Sequence, residues 1–357
     1  MRKTLMALVL LASMGILATG AGTFKGTLKQ ARELAAKQNK DVVLKFYADW
    51  CSSCQKLDRE VLTKEMVSRL SRNAVMTYMN VDRPAARALA EKFNVKGIPT
   101  TIVLDNTGRE IDRIVGYSNR SKWTKTLLGY MYGIDTLQDN LEKAAKNDSP
   151  KLGEEIAGKY LERGNAKQAL EWVGRAKKLL TGKDPKLADR LSLIRGEALL
   201  ETDPPTGEKL LRRLAVKGSQ DQADGAFDTL SRYYRLKARE SKNPEEKKSF
   251  LDKMTALYDA ALPKHENDSG FLNNYAWHFA EEGINLDKAL EAAQKAVKLS
   301  NNDPGILDTL AETYYKKGMK TKALEAIGKA LQKDPDDSHF RKQKEKFLKM
   351  PGKTGNG

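Results

Sequence analysis

Two hydrophobic periods divide this chain. From Leu28 to Ala36 apolar residues recur at helical spacing, and Asp41 then leads into Val42, Val43, Leu44, Lys45, Phe46 and Tyr47, a short run that reads as a buried strand. A helix is predicted after the cysteines at 51 and 54, with Leu57, Val61, Leu62 and Met66 on its inner face. Ala74 to Val81 reads as a second strand, Ala85 to Phe93 as a helix and Thr100 to Leu104 as a third strand. Asn106-Thr107-Gly108 turns the chain into a fourth strand, Glu110 to Val115, and a last helix runs from about Ser121 to Met131. The order is α/β with a closing hairpin.

Beyond about Asp135 the strand signals stop and helix pairs take over. The clearest unit is Ala311, Tyr314, Gly318, Ala323, Ala330 and Pro335, in which small residues let two antiparallel helices approach and proline ends the unit. Ala276, Phe279, Gly283, Ala289, Ala296 and Pro304 repeat it about 35 residues earlier. Ala157, Tyr160, Gly164, Ala169 and Ala176 keep the same offsets. Between them, Lys186 to Ala215 and Asp221 to Ala261 are helical but degenerate, with Asp203-Pro204-Pro205 and Pro263 to Gly270 reading as loops between units. This pattern resembles the tetratricopeptide repeat, whose period is about 34 residues and which needs about three units for stability. Three recognisable and two degenerate units predict an all-α solenoid that folds by itself.

With 357 residues the chain exceeds one ordinary domain, and 40% hydrophobic with 31% charged residues suits a buried core clad in solvated helices. The expected organisation is an export segment at 1–22, an α/β domain at 23–133, helical repeats at 145–347 that are clearest at 270–337, and a disordered tail at 348–357. The net charge of +16 raises nucleic acid as a partner, but it is spread as +9 over residues 1–144 and +7 over the remainder. Its lysines fall among glutamates on polar helix faces, so no nucleic-acid partner is expected.

Arg2 and Lys3, an apolar run from Leu5 to Ala18 and the small residues Gly20, Ala21 and Gly22 read as a cleavable signal peptide. The alternative is a retained anchor, although the run includes Ser13 and Gly15 and falls short of the ~20 apolar residues of a spanning helix. A periplasmic or otherwise exported location follows from either.

Cys51 and Cys54 are the two cysteines of the chain. They sit where a strand hands over to a helix, so Cys51 occupies the helix N-terminus, where orphan amides and the macrodipole stabilise a thiolate. Cys54, three residues on, shares that face and can form a disulfide with Cys51. Thiol-disulfide exchange then has Cys51 attack and Cys54 resolve. A static bridge and half of a zinc site are the alternatives; zinc needs four ligands, and His265, His278 and His339 all lie in the repeats. No metal site, nucleotide-binding glycine loop or haem attachment motif is found, and no cofactor is expected. At Gly97-Ile98-Pro99-Thr100 a cis Ile98-Pro99 bond would expose the Ile98 backbone beside the cysteines for pairing with a substrate strand, though an isolated X-Pro bond favours trans.

Val42 to Tyr47, Ala48-Asp49-Trp50-Cys51-Ser52-Ser53-Cys54, Asn80-Val81-Asp82, Phe93 to Thr100 and Val115-Gly116 together resemble a thioredoxin domain across roughly residues 24 to 133. The Tyr-Ala-Asp-Trp-Cys phrase is similar to the C-terminal periplasmic domain of membrane thiol:disulfide reductases and to related exported thioredoxins. The resemblance implies Cys51 as nucleophile, Cys54 as resolver, Trp50 as flanking aromatic and Pro99 as the cis proline. Two departures stand out. Lys45 occupies the position, six before the first cysteine, where thioredoxins commonly bury an acid, and Tyr78 aligns with the lysine that accompanies it. If Lys45 points inward and stays charged, it stabilises the Cys54 thiolate and makes the couple more oxidising; if it snorkels to solvent, it matters little.

The leading expectation is therefore an exported reductase of protein disulfides. Its partners would be disulfide-containing exported proteins, a membrane thiol reductase as electron donor, and a protein bound by the repeats. The alternatives are a disulfide oxidase or isomerase using the same site, and a repeat scaffold whose thioredoxin-like domain is a docking module.

Overall fold

The computed structural model describes residues 22–182, 184–349 and 351. The export segment and the tail fall almost wholly outside these, except that Leu348 still belongs to the last helix. Helix α1 (Leu28–Gln38) starts in a capping box between Thr27 and Gln30 and stops at Asn39, which turns left-handed at φ 50°. Strand β1 (Asp41–Tyr47) follows, then α2 (Ser52–Glu60), α3 (Lys64–Leu70), β2 (Ala74–Asn80), α4 (Pro84–Lys92), β3 (Thr100–Leu104), β4 (Glu110–Val115) and α5 (Arg120–Met131).

The sheet order is β2-β1-β3-β4, with β1 parallel to β2 and the other pairs antiparallel. Side chains of β1 alternate between two cores. Val42, Leu44 and Phe46 meet Ala31 and Ala35 of α1 and Ala90 of α4, whereas Val43 meets Leu57, Met66, Trp123 and Leu127 of α2, α3 and α5. By the period of two, Lys45 shares the face of Val43, toward α2.

The single helix expected to carry Leu57 through Met66 is in fact two. The Thr63 hydroxyl accepts from the Met66 amide at 3.3 Å and caps a new helix, leaving Val61 and Leu62 buried in the corner.

The second half is built of α6 (Leu137–Lys146), α7 (Pro150–Glu162), α8 (Ala166–Leu179), α9 (Pro185–Thr202), α10 (Pro204–Lys217), α11 (Gln220–Glu240) and α12 (Pro244–Ala261). After a 3-10 turn at Leu262–Lys264 come α13 (Ser269–Glu282), α14 (Leu286–Leu299), α15 (Pro304–Lys316), α16 (Lys320–Lys333) and α17 (Ser338–Leu348). From α7 to α16 these form antiparallel pairs, and α17 closes the array. The buried alanines Ala157, Ala276 and Ala311 sit where facing helices approach. Asp203-Pro204-Pro205 is the start of α10 and no extended loop. Asp203 caps the helix and Pro204 occupies its first position, where the missing N–H costs nothing.

Sheet and solenoid meet through a buried ion cluster. Asp112 of β4, with no exposed surface, accepts from the Leu137 amide at 2.7 Å, Lys159 Nζ at 2.9 Å and Arg163 Nη2 at 2.7 Å. Arg113 binds Glu110 through two nitrogens and the Glu162 carbonyl at 2.9 Å through a third. Removing the central anion leaves Lys159 without its carboxylate and Arg163 with Glu110 alone in a poorly solvated place, so Asp112→Ala should lower unfolding free energy by about 3–5 kcal/mol in urea titrations. A change under about 1 kcal/mol would mean the cluster is not a stabilising junction.

Burial pushes the Glu162 carboxyl up to about 7, against the pull of neighbouring Lys159, Arg163 and Arg113. The folded chain then holds a proton that the unfolded chain has released, so Glu162 contributes stability as pH falls from above 7 toward 4.5. Glu162→Gln should flatten this part of the urea-midpoint profile; a profile unchanged in the variant would remove Glu162 as its source.

Candidate active site

Strand β1 delivers Ala48, Asp49 and Trp50 to the start of α2, and Cys51 is its N-cap. The Cys51 backbone is extended, and its Sγ accepts from the Cys54 amide at 3.1 Å, in the place where an oxygen usually caps. Cys51 and Cys54 are joined as a disulfide with Cα atoms 5.1 Å apart. Cys51 is 6% exposed and Cys54 is buried deeper.

The Ile98-Pro99 peptide is cis, and the Ile98 carbonyl oxygen lies 3.7 Å from Cys51 Sγ. Thr100 Oγ1 donates to the Gly97 carbonyl at 2.7 Å, and the Gly116 amide to the Pro99 carbonyl at 2.8 Å, so the loop is fixed from both sides. Trp50 is 49% exposed beside the cysteines and donates from Nε1 to Asp82 Oδ1 at 3.1 Å. Asn80 orients this edge, accepting from the Asp82 amide at 2.9 Å and donating to Asp49 Oδ1 at 3.3 Å. The fold thus brings Trp50, Cys51, Cys54, Ile98 and Pro99 to one surface.

Lys45 does not snorkel. Its strand is flanked on both edges by β2 and β3, and its ammonium stays inside, donating to Asp58 of α2 and lying 4.8 Å from the Tyr78 ring centroid and 5.3 Å from that of Tyr47. Burial lowers its pKa, with Asp58 acting in the opposite direction. Tyr78 is Lys45's register partner on β2, and burial pushes its hydroxyl pKa up. The acid and lysine that the sequence lacks at their usual places are therefore replaced by another pair. Its carboxylate, 42% exposed, is one turn past Cys54 on α2.

Asp58, Asp49, Asn80 and Asp82 escaped the sequence reading as site residues. Asp58 carried a signal, since it stands four residues after Cys54 and thus on the same helix stripe, above the strand face that carries Lys45.

Residues 28–130 match the thioredoxin-like domain family, and residues 280–346 match a tetratricopeptide-repeat family. The thiol:disulfide interchange protein DsbD of Haemophilus influenzae is 31% identical over 110 residues, which are 29% of this chain and 19% of that protein. DsbD of Yersinia pestis is 33% identical over 98 residues, 26% of this chain and 16% of the relative. The chain thus spans under a fifth of the length of these curated relatives. Among solved structures, the oxidised C-terminal domain of Neisseria meningitidis DsbD is 27% identical, with TM-score 0.26, covering 29% of this chain and 92% of that one. A tetratricopeptide-repeat protein of Thermus thermophilus is 21% identical, with TM-score 0.37, covering 56% of this chain and 98% of that one. Residues 28–130 form a thioredoxin-like domain similar in sequence to DsbD, and the C-terminal helical region carries tetratricopeptide repeats at residues 280–346.

Proposed function

We propose that this protein is an exported thiol-disulfide oxidoreductase that reduces protein disulfides, with Cys51 as nucleophile and Cys54 as resolving thiol. The observation that carries this reading is the Cys51–Cys54 disulfide at the N-terminus of α2, facing the cis Ile98-Pro99 loop. In the reduced enzyme the Cys51 thiolate attacks one sulfur of a substrate disulfide and expels the other as thiolate. Cys54 then attacks Cys51 in the mixed disulfide and frees the substrate. Two electrons pass to the substrate, whose thiols take up the two protons, and the enzyme is left with its Cys51–Cys54 bond. A membrane thiol reductase would restore the dithiol, in keeping with the thiol:disulfide interchange that the relatives' name describes, and the repeats would hold a protein partner. The residues before position 22 would direct export. Among the described residues no helix is long and apolar enough to cross a membrane.

Reduction rather than oxidation is favoured by the pairing of Lys45. A lone buried ammonium beneath α2 would stabilise the Cys54 thiolate and make the couple oxidising, but Asp58 compensates that charge. The couple should lie near the thioredoxin value of about −270 mV when equilibrated against dithiothreitol. A value of about −120 to −180 mV would instead favour oxidase or isomerase work, and a pair that does not cycle at all would favour the scaffold. Cys54→Ser should accumulate mixed disulfides with exported proteins that Cys51→Ser does not form.

The pair also predicts an asymmetry. Asp58→Ala leaves a buried ammonium unpaired and should cost about 3 kcal/mol of stability, whereas Lys45→Met leaves only a carboxylate that reaches water and should cost less than about 1 kcal/mol. The Lys45→Met couple should also become more reducing, because an uncompensated Asp58 disfavours the nearby thiolate. Equal losses in the two variants, or a more oxidising Lys45→Met couple, would contradict this account.

A further inference from the structure

The solenoid returns to the redox centre. On one flank, Lys342 Nζ of α17 donates to Asp49 Oδ2 at 3.0 Å, two residues before Cys51, and Gln55 Nε2, the residue after Cys54, donates to Asp337 Oδ2 at 3.3 Å. Lys342 also feels Asp82, the carboxylate that holds Trp50. On the other flank, two residues before Ile98, Lys96 pairs with Glu201 of α9 and lies within reach of Glu197 and of Arg232 on α11. Asn94 of the same loop packs its side chain against Gly164, whose φ of 72° favours glycine there. Each unit of a solenoid contacts its neighbours, so the stretch from α9 to α17 runs from one side of the redox centre to the other.

The two sets of bonds that α17 makes differ in strength. Toward α15, His339 Nε2 meets Asp308 Oδ2 at 3.0 Å, Gln343 reaches Asp308 at 3.2 Å and Glu312 at 3.3 Å, and Lys346 binds Glu312 at 2.6 Å. Asp308 and Glu312 are buried, so lifting α17 off α15 would strand two carboxylates. Toward the active site, Lys342 is 65% exposed, and an ion pair of that kind holds weakly and is screened by salt. The solenoid can therefore part from the active-site surface by a few contacts without losing its own packing, while its first repeat stays fixed at Asp112.

Resting on the redox reading above, we propose that the α9–α17 stretch is the second wall of the substrate site, and that Cys51 receives disulfides carried on extended, unfolded polypeptide segments. An extended segment beside the Ile98 backbone needs about 4.8 Å, one strand spacing, which parting of the exposed contacts admits. A folded domain needs its own full width, which would require the Lys96–Glu201 contact as well as the Asp49 contact to break while the first repeat stays fixed at Asp112. Disulfides presented on folded surfaces are turned away.

The test is single-turnover reduction by the reduced full-length protein, each rate divided by that of free dithiothreitol with the same substrate. The substrates are glutathione disulfide, a flexible peptide closed by one disulfide, and that peptide sequence grafted into a loop of a folded domain. The peptide should react at least about tenfold faster than the graft, and Lys342→Glu and Glu201→Lys, both at partly exposed positions, should each narrow that ratio by at least about threefold. Equal rates for peptide and graft, or a ratio unmoved in both variants, overturns the inference while turnover of glutathione disulfide leaves the redox reading standing. No turnover of glutathione disulfide overturns both.

Discussion

Strand β1 has no free edge and no free face, and the chemistry of the protein follows from that confinement. It is hydrogen-bonded to β2 on one side and β3 on the other, and its alternate side chains are taken up by two separate cores. The chain leaving β1 crosses Ala48, Asp49 and Trp50 and enters α2, which puts Cys51 at a helix N-terminus with unsatisfied amides around it. The same enclosure prevents the lysine at position 45 from reaching water along the strand. A charge trapped there must be paired or neutralised, and the nearest element on its face is α2. The Lys45–Asp58 pair is thus a consequence of the sheet, and the electrostatics beneath the cysteines are set by where β1 runs.

The α/β half is legible in sequence because strands buried on both faces read as continuous apolar runs with sharp polar ends. The hairpin is legible because Gly108 supplies the left-handed position, φ 85°, that the turn into β4 demands. The break between α2 and α3 is hidden, since Val61 and Leu62 satisfy helical spacing whether the helix continues or turns, and a threonine is a weak signal without its hydrogen bond. At Pro204 the same residue type can end one helix or begin the next, and only the cap formed by Asp203 decides. The cysteines, Trp50 and the Ile98-Pro99 loop are legible as a constellation. Lys45 is legible as an anomaly, but its partner is not read from a strand pattern, because it comes from a helix stripe on another element.

Least legible of all are contacts that close over long separations. Lys342 and Asp49 stand 293 residues apart, and nothing in either neighbourhood marks them as partners. Such contacts come from the accumulated rotation of successive repeats, each a small local choice of alanine and glycine at helix crossings. A repeat sequence states how one unit packs on the next more clearly than where the last helix will arrive.

The attachments between solenoid and α/β half at Asp112 and at Asp49 are unequal, with Lys96–Glu201 between them in exposure, and the inequality has a mechanical meaning. At Asp112 the charges are buried and mutually satisfied, so separation there leaves ions without water or partners. At Asp49 the charges meet in water and lose little when parted. A body fixed at one end by a buried cluster and touching at the other through exposed pairs moves about its fixed end. Small angular changes between successive repeats therefore add up at α17, the end that rests beside Cys51. The array's most exposed attachment to the α/β half therefore lies beside Cys51, while the start of α2 and the Ile98-Pro99 loop are held by bonds within the α/β half itself.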